Sequence, residues 1–239
     1  MKRATLEALV AARAARRPIV RLVWLATGEE RLVAAADAAP VDPATAAGIG
    51  PLDPTVRRAV EDAFADDEGA LVETNDGPVF VQPFNPPPRL AIVGAVHIAQ
   101  SLCAFARDLG HAVLVVDPRR GFLTEARFPG VELSHAWPDE ALDAYGLDGR
   151  SAVVTLSHDS KLDDPALHAA LRSSAYYIGA LGSQRTQAKR RARLAEAGFD
   201  ETAIARVHGP VGLDIGAASP AEIALSIAAQ LTARLRKRA

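Results

Sequence analysis

The chain has 239 residues, 49% hydrophobic and 23% charged, with a formal net charge of −2. This is the composition of an ordinary globular chain with enough apolar matter for a real core. Its near-neutral balance excludes a general attraction to nucleic acid or anionic membrane. The single cysteine, Cys103, excludes an intrachain disulfide and a cysteine-based zinc cluster, and it fits a reducing compartment.

The first stretch, MKRATLEALVAARAARR, carries Glu7 and several arginines where a signal peptide would be apolar. No apolar run reaches the length of a membrane span. The expectation is therefore a cytoplasmic protein with no membrane partner. Thr5 stands where it can cap a first helix, with Leu6, Leu9 and Val10 on its apolar face and Pro18 as its stop. IVRLVWLA then reads as a strand, TGEE as a turn and RLVAAA as a second strand. A helix is expected from about Asp53 to Asp67, with Pro54 in its first turn. ALVETNDGPVFVQPF follows as a hairpin, because Asn-Asp-Gly tolerates positive φ. Residues 1–85 thus form a small α+β region.

The run NPPP, Asn85 to Pro88, is the expected boundary, since three prolines make a stiff connector that neither helix nor central strand absorbs. Over 86–239 the pattern changes. Continuous apolar runs (RLAIVGA, AVLVVD, AVVTLS, AYYIGA) alternate with helical segments. Such runs predict a parallel sheet covered on both faces, a Rossmann-like α/β domain. The first of its helices has Ile98, Leu102, Phe105 and Leu109 as its apolar face. The last is predicted from Ser219 as N-cap, Pro220 at N1 and Glu222 at N3, a complete capping box. Its RLRKR end is most simply a basic end matched to the helix dipole.

Ligands of open parallel sheets bind at the carboxyl ends of the strands. Five loops leave such ends. In the first, Gly94-Ala95-Val96-His97-Ile98-Ala99, Gly94 permits the tight turn and Ala99 is an accepted third position of G-x-G-x-x-G. Val96, however, replaces the glycine that lets a pyrophosphate approach. The helix start still offers N–H groups to an anion, and His97 stands in its first turn. The competing reading is a turn kept for packing alone. In the second loop, Asp117 ends the next strand at the position of a carboxylate that holds a ribose hydroxyl, or that caps the loop. In the third, His158 and Asp159 follow a buried strand, while Asp163 or Asp164 caps a helix beginning at Pro165. In the fourth, Gly182, Ser183, Arg185 and Thr186 open a helix with anion-binding chemistry, and Lys189, Arg190, Arg191 and Arg193 read as its solvated face. In the fifth, Gly212 and Asp214 lie in a loop whose glycines imply close approach to a ligand or to neighbouring loops. Cys103, in an apolar helix segment, reads as core.

Taken together, IVGAVHIAQ, VVDPR, YYIGALGSQRTQAKR and HGPVGLDIGAASPAEIALSI resemble the XdhC/CoxI (CoxF) family over about Pro86 to Arg234. The resemblance implies an accessory protein that binds molybdenum cofactor (molybdopterin), supports its sulfuration and delivers it to a molybdenum hydroxylase apoenzyme such as xanthine dehydrogenase. It also implies a possible cysteine desulfurase partner and leaves a homodimer open. Two departures stand out. Val96 replaces a glycine that many members carry, and no cysteine precedes Cys103 where many members have a GGC motif. Direct sulfur handling by an N-terminal thiolate is thereby excluded for this chain. Two alternatives remain: a non-catalytic regulatory paralogue with an empty site, and an NAD(P)-dependent oxidoreductase, for which His158 is the one attractive proton donor.

Overall fold

The computed structural model describes residues 1–35 and 52–236, which fall into two compact units, Met1–Pro86 and Pro87–Ala239. Ala36, Lys237 and Arg238, at the ends of the second expected strand and of the basic tail, lie outside the described residues.

The first unit comprises α1 (Arg3–Ala14), β1 (Ile19–Trp24), β2 (Glu30–Ala34), α2 (Pro54–Asp66), β3 (Ala70–Val72) and β4 (Val79–Phe84). The strands form an antiparallel sheet in the order β2-β1-β4-β3. Alternation along β1 divides the core. Val20 and Leu22 pack with Val56, Val60 and Ala63 of α2, whereas Ile19 packs with Leu9 and Ala12 of α1. Asp53 caps α2 by accepting from the Thr55 amide at 2.8 Å, with Pro54 in the first turn as the sequence indicates. The first helix differs from expectation. It starts at Arg3, so Thr5 lies inside its first turn and bonds Glu30 instead of capping. Leu9 and Ala12 are its buried face, and Leu6 and Val10 are exposed.

The second unit holds β5 (Arg89–Val93), α3 (His97–Asp108), β6 (Ala112–Val116), β7 (Glu132–Ser134), α4 (Pro138–Tyr145), β8 (Ser151–Thr155), α5 (Ser160–Arg172), β9 (Tyr177–Ala180), α6 (Gln184–Glu196), α7 (Glu201–Ala205), β10 (Val207–His208) and α8 (Pro220–Leu235). All six strands are parallel, in the order β10-β9-β8-β5-β6-β7. Counted within the unit, that is the 3-2-1-4-5-6 order of a dinucleotide-binding sheet, with its reversal between β5 and β8. Every residue of β5 and β8 is buried, because helices cover both faces. One apolar layer joins Leu90, Ile92, Val113 and Val115 to α3 and α8, and the other joins Ala91, Val93, Leu114 and Val153 to α4 and α5. Ala99, Leu102, Cys103 and Ala106 are the buried face of α3, and Leu109 is exposed beyond its end. The capping box of α8 forms as read from the sequence: Ser219 Oγ accepts from the Glu222 amide, and Glu222 accepts from the Ser219 amide at 2.7 Å.

The expected cap at Asp163 or Asp164 is not how α5 begins. Asp159 is the N-cap, accepting from the Lys161 amide at 3.0 Å, and Pro165 lies within the helix. An earlier aspartate had already satisfied the end, so a proline this close to it costs only one early ladder bond.

Candidate functional site

Because all strands of the second unit run the same way, their outgoing loops share one edge of the sheet. The first turn is rigid. Gly94 adopts φ +107°, and a Cβ there would sit 3.0 Å from the Ser157 amide nitrogen and 3.2 Å from the carbonyl carbon of Leu156. Its glycine therefore serves both the turn and the close approach of the loop after β8. The amides of this turn are engaged: Ala95 N–H donates to Asp117 Oδ2 at 2.8 Å, and Val96 N–H donates to Gly94 O at 2.9 Å. Val96 is the extended N-cap of α3 and packs its side chain, partly buried, against the core. His97 follows, exposed, at the first helical position.

Asp117 is fully buried. Besides the Ala95 amide it accepts from the Arg119 amide at 3.0 Å, and from the Arg119 guanidinium at 2.8 Å (Nε to Oδ1) and 2.7 Å (Nη2 to Oδ2). Burial pushes its carboxyl up, but Arg119 and the two amides outweigh that and hold it below the usual carboxylate range. The carboxylate expected to meet a ribose is occupied in tying the first turn to the loop after β6. Arg119 in turn stacks on Phe122 and feels the charge of Asp159 across the edge.

The loop after β8 carries His158 at φ +60°, a left-handed conformation uncommon for a side chain other than glycine. His158 is exposed and lines a cavity of about 310 Å³ with Ser160, Asp163, Arg185, Thr186, Lys189, Arg190 and Arg193. The cavity lies between the starts of α5 and α6, one strand beyond the topological switch. Gly182 (φ +140°) turns the chain into α6 where a Cβ would meet Thr186 Cγ2 at 2.9 Å. Ser183 caps the helix by accepting from the Thr186 amide at 3.3 Å. Arg185, Lys189 and Arg193 recur every four residues and so share one face of α6. Arg193 forms a two-bond pair with Asp164, at 2.6 and 2.9 Å, whereas Arg185 and Lys189 have no side-chain ionic or hydrogen-bond partner among the described residues.

Behind them lies a buried polar network. Arg190, only 2% exposed, donates to Asp163 Oδ2 at 3.3 Å, Gln187 Oε1 at 2.5 Å and Leu181 O at 3.0 Å. Asp163 also accepts from Ser157 Oγ at 2.6 Å, and Gln187 donates to Ala180 O at 3.0 Å. Burial pushes the Asp163 carboxyl up, against the pull of Ser157 and Arg190. The basic run of α6 is therefore not simply a solvated face. Arg190 is a core residue that fixes the start of α6 against the loops after β8 and β9. Sequence reasoning missed it because a basic run carries no mark of the one member that turns inward; its spacing of 27 residues from Asp163 is not a helical signal.

The fifth loop packs instead of opening. A Cβ on Gly212 (φ +96°) would lie 2.2 Å from Ser226 Oγ, and one on Gly209 would lie 2.2 Å from the Gln187 amide group. These glycines serve close approach to the helices α8 and α6, where the sequence suggested a ligand or neighbouring loops. Asp214 is exposed beside the exposed Leu213 and Ile215. Of the residues expected at the site, His158, Arg185 and Thr186 line the cavity, with Gly182 and Ser183 forming its turn and cap. Gly94, Val96 and Asp117 form a separate braced turn. Among the described residues no group of three or more His, Cys, Asp or Glu is placed to hold a metal ion, and no helix is long and apolar enough to cross a membrane.

Residues 90–231 match the family model described as the XdhC Rossmann domain. A protein of Bacillus subtilis named as a probable xanthine dehydrogenase component is 33% identical over 161 residues, covering 67% of this chain and 46% of that protein. A molybdenum cofactor insertion chaperone of Escherichia coli, PaoD, is 35% identical over 85 residues, covering 36% of this chain and 27% of that protein. The chain thus spans less than half the length of these curated relatives. A crystal structure described as a xanthine dehydrogenase from Bacillus halodurans superposes with a TM-score of 0.67 at 24% identity, covering 99% of this chain and 65% of that one, a likeness of fold. With the family model matching well over half of its length, on a parallel sheet of dinucleotide-binding order, the chain belongs to the XdhC family.

Proposed function

We propose that this chain is an accessory protein that binds molybdenum cofactor at the carboxyl edge of its parallel sheet. It would support the cofactor's sulfuration or its insertion into a xanthine dehydrogenase-type molybdenum hydroxylase. The observation that carries the reading is the cationic cavity at the start of α6, where Arg185 and Lys189 stand unpaired among the described residues. Molybdopterin ends in a phosphate, and unpaired cations beside a helix N-terminus suit that group. A volume of about 310 Å³ is at the small end of ligand pockets, so the pterin would lie partly outside it. The names of the relatives point to the same chemistry.

The chain's own thiol takes no part. Cys103 is buried among apolar side chains, and burial pushes its thiol up to about 12, against the charge of Arg107. Sulfur would come from a separate donor, a cysteine desulfurase being the fitting class. A dinucleotide such as NAD(P) fits less well, because Asp117, the carboxylate that would meet its ribose, is tied to Arg119 and to the Ala95 amide. The test is co-expression with a molybdenum hydroxylase in a cell that makes the cofactor. The purified protein should retain pterin and molybdenum, and it should raise the activity of the hydroxylase. Arg185→Ala should retain tenfold to a hundredfold less cofactor, the loss of one charge-assisted bond of roughly 1.5–3 kcal/mol. If the wild type neither retains cofactor nor raises that activity, the empty-site paralogue is the better account.

A further inference from the structure

We propose that the cavity at the start of α6 is a site for a phosphate-monoester dianion, held by Arg185 and Lys189 against the buried Arg190. The proposal rests on the reading of this edge as a cofactor cradle only for the identity of its biological ligand.

Three independent features meet here. The first is charge. Among the described residues Asp163 is the one acid lining the cavity, and Arg190 already balances it. The charge of Arg193 is met by Asp164. Arg185 and Lys189 remain, two positive charges unpaired among the described residues, one helical turn apart on one face of α6. They match the two negative charges of a monoester above its second pKa of about 6. A diester carries only one such charge at the phosphorus.

The second feature is a rigid wall behind the two cations. Arg190 lines the cavity, is almost wholly buried, and has its Nη groups fixed by Gln187, Asp163 and Leu181. Three protein partners hold that fork in place, so the start of α6, from which Arg185 and Lys189 extend, is preorganised.

The third feature is where the phosphate does not go. At the first turn of the sheet, the Ala95 and Val96 amides are taken and the carboxylate of Asp117 lies directly beneath. Asp117 is balanced by Arg119 as Asp163 is by Arg190, but the α6 edge adds two further cations, Arg185 and Lys189, unpaired among the described residues.

The test uses the full chain and two small probes: phenyl phosphate, a dianion at about pH 8, and methyl phenyl phosphate, a monoanionic diester of nearly equal shape. Calorimetry should show one saturable site for phenyl phosphate and at least tenfold weaker binding of the diester. Lys189→Ala and Arg185→Ala, both at exposed positions, should each weaken the monoester at least tenfold. Arg191→Ala removes the same charge from the same helix, but from a residue paired with Glu201 outside the cavity; it should leave the affinity within twofold. Equal binding of monoester and diester overturns the dianion assignment. Equal losses in Lys189→Ala and Arg191→Ala overturn the location, and no saturable binding overturns the site. If phenyl phosphate binds as stated but the protein retains no molybdenum cofactor, this site stands and the cofactor reading falls. If the Arg185→Ala/Lys189→Ala double variant retains cofactor undiminished, this cavity is not where the cofactor phosphate sits, and the link between the site and the cofactor falls.

Discussion

Replacing Asp117 by Asn separates a brace from a ligand. The carboxylate is fully buried and accepts four hydrogen bonds, from two amides and twice from the Arg119 side chain. Asn keeps the shape but turns one oxygen into a donor, which must then face an N–H. That mismatch costs about 1–2 kcal/mol, and losing the charge-assisted bond to the buried Ala95 amide costs about 1 more. The Arg119 side chain is 38% exposed, so solvent screens its pair with Asp117, and its loss adds no more than about 1 kcal/mol. The sum is roughly 3 kcal/mol. In a unit of this size that lowers the melting temperature by about 10 °C. The carboxyl is held below its ordinary value in the fold, so its contribution is present in full above about pH 4, the unfolded value, and disappears as pH falls through the folded one. Melting followed by circular dichroism should therefore show a constant gap between wild type and Asp117→Asn from about pH 8 to 5, closing below about pH 4. An unchanged melting temperature with a lost nucleotide affinity would make Asp117 a ribose ligand and refute the brace. A gap that persists unchanged to about pH 2 would refute the electrostatic part of the argument.

Val96→Gly should leave NADH binding within threefold of the wild type while costing about 1–2 kcal/mol of stability, because Val96 is packed on the core and the turn amides stay engaged. Fluorescence titration checks this, and a tenfold gain in affinity would show that the valine side chain was the barrier after all. His111 is buried against the Tyr176 hydroxyl at 3.2 Å, with Nδ1 unpartnered among the described residues, and burial pulls its imidazole down to about 4 despite the nearby backbone carbonyl of Ala106, which favours the protonated ring. The unfolded chain takes up that proton near about pH 6.5 and the folded one does not, so stability should fall between about pH 6.5 and 4 by up to about 3 kcal/mol. Urea titrations of wild type and His111→Gln across that range should show the slope reduced in the variant; identical slopes would assign the loss to other groups.

What the sequence made legible was set by signals that are local. Continuous apolar runs located the four long parallel strands, and Ser219, Pro220 and Glu222 located the start of α8 to the residue. The segments that escaped were short or carried their signals quietly. β7 and β10 have three and two residues, too few to show any period. The helix α4 did announce itself, with Pro138 at its first position, Asp139 and Glu140 in the first turn and Gly146 at its end, but only its ends are marked within eight residues. The site was legible as a set of loops and not as a geometry. His158, Arg185 and Thr186 were read correctly as neighbours of one sheet edge, because parallel topology alone puts them there. That Asp163 and Arg190 would find each other, and that Asp117 would turn under Ala95, depends on contacts between loops whose separation in sequence carries no period.

The displacement of anion-binding capacity from the first turn to α6 follows from how a parallel sheet distributes its free groups. Each helix that follows a strand offers N–H donors at the same edge, so topology gives every loop a comparable claim on an anion. The difference lies in what is already engaged. At α3 no side chain caps the helix, yet the two amides ahead of it are bound, one of them to a buried carboxylate whose charge Arg119 balances. At α6 the cap is a neutral serine, and the acids nearby are matched by Arg190 and Arg193, while Arg185 and Lys189 extend unmatched, among the described residues, from the next turns. A glycine at position 96 would clear space above the first turn without freeing a donor or removing Asp117. The Ala95 amide is part of what holds the loops after β5 and β6 together, and its acceptor is the carboxylate that a dinucleotide's ribose would need. Brace and ribose ligand are therefore alternatives at Asp117, and in this chain its oxygens are taken by the brace.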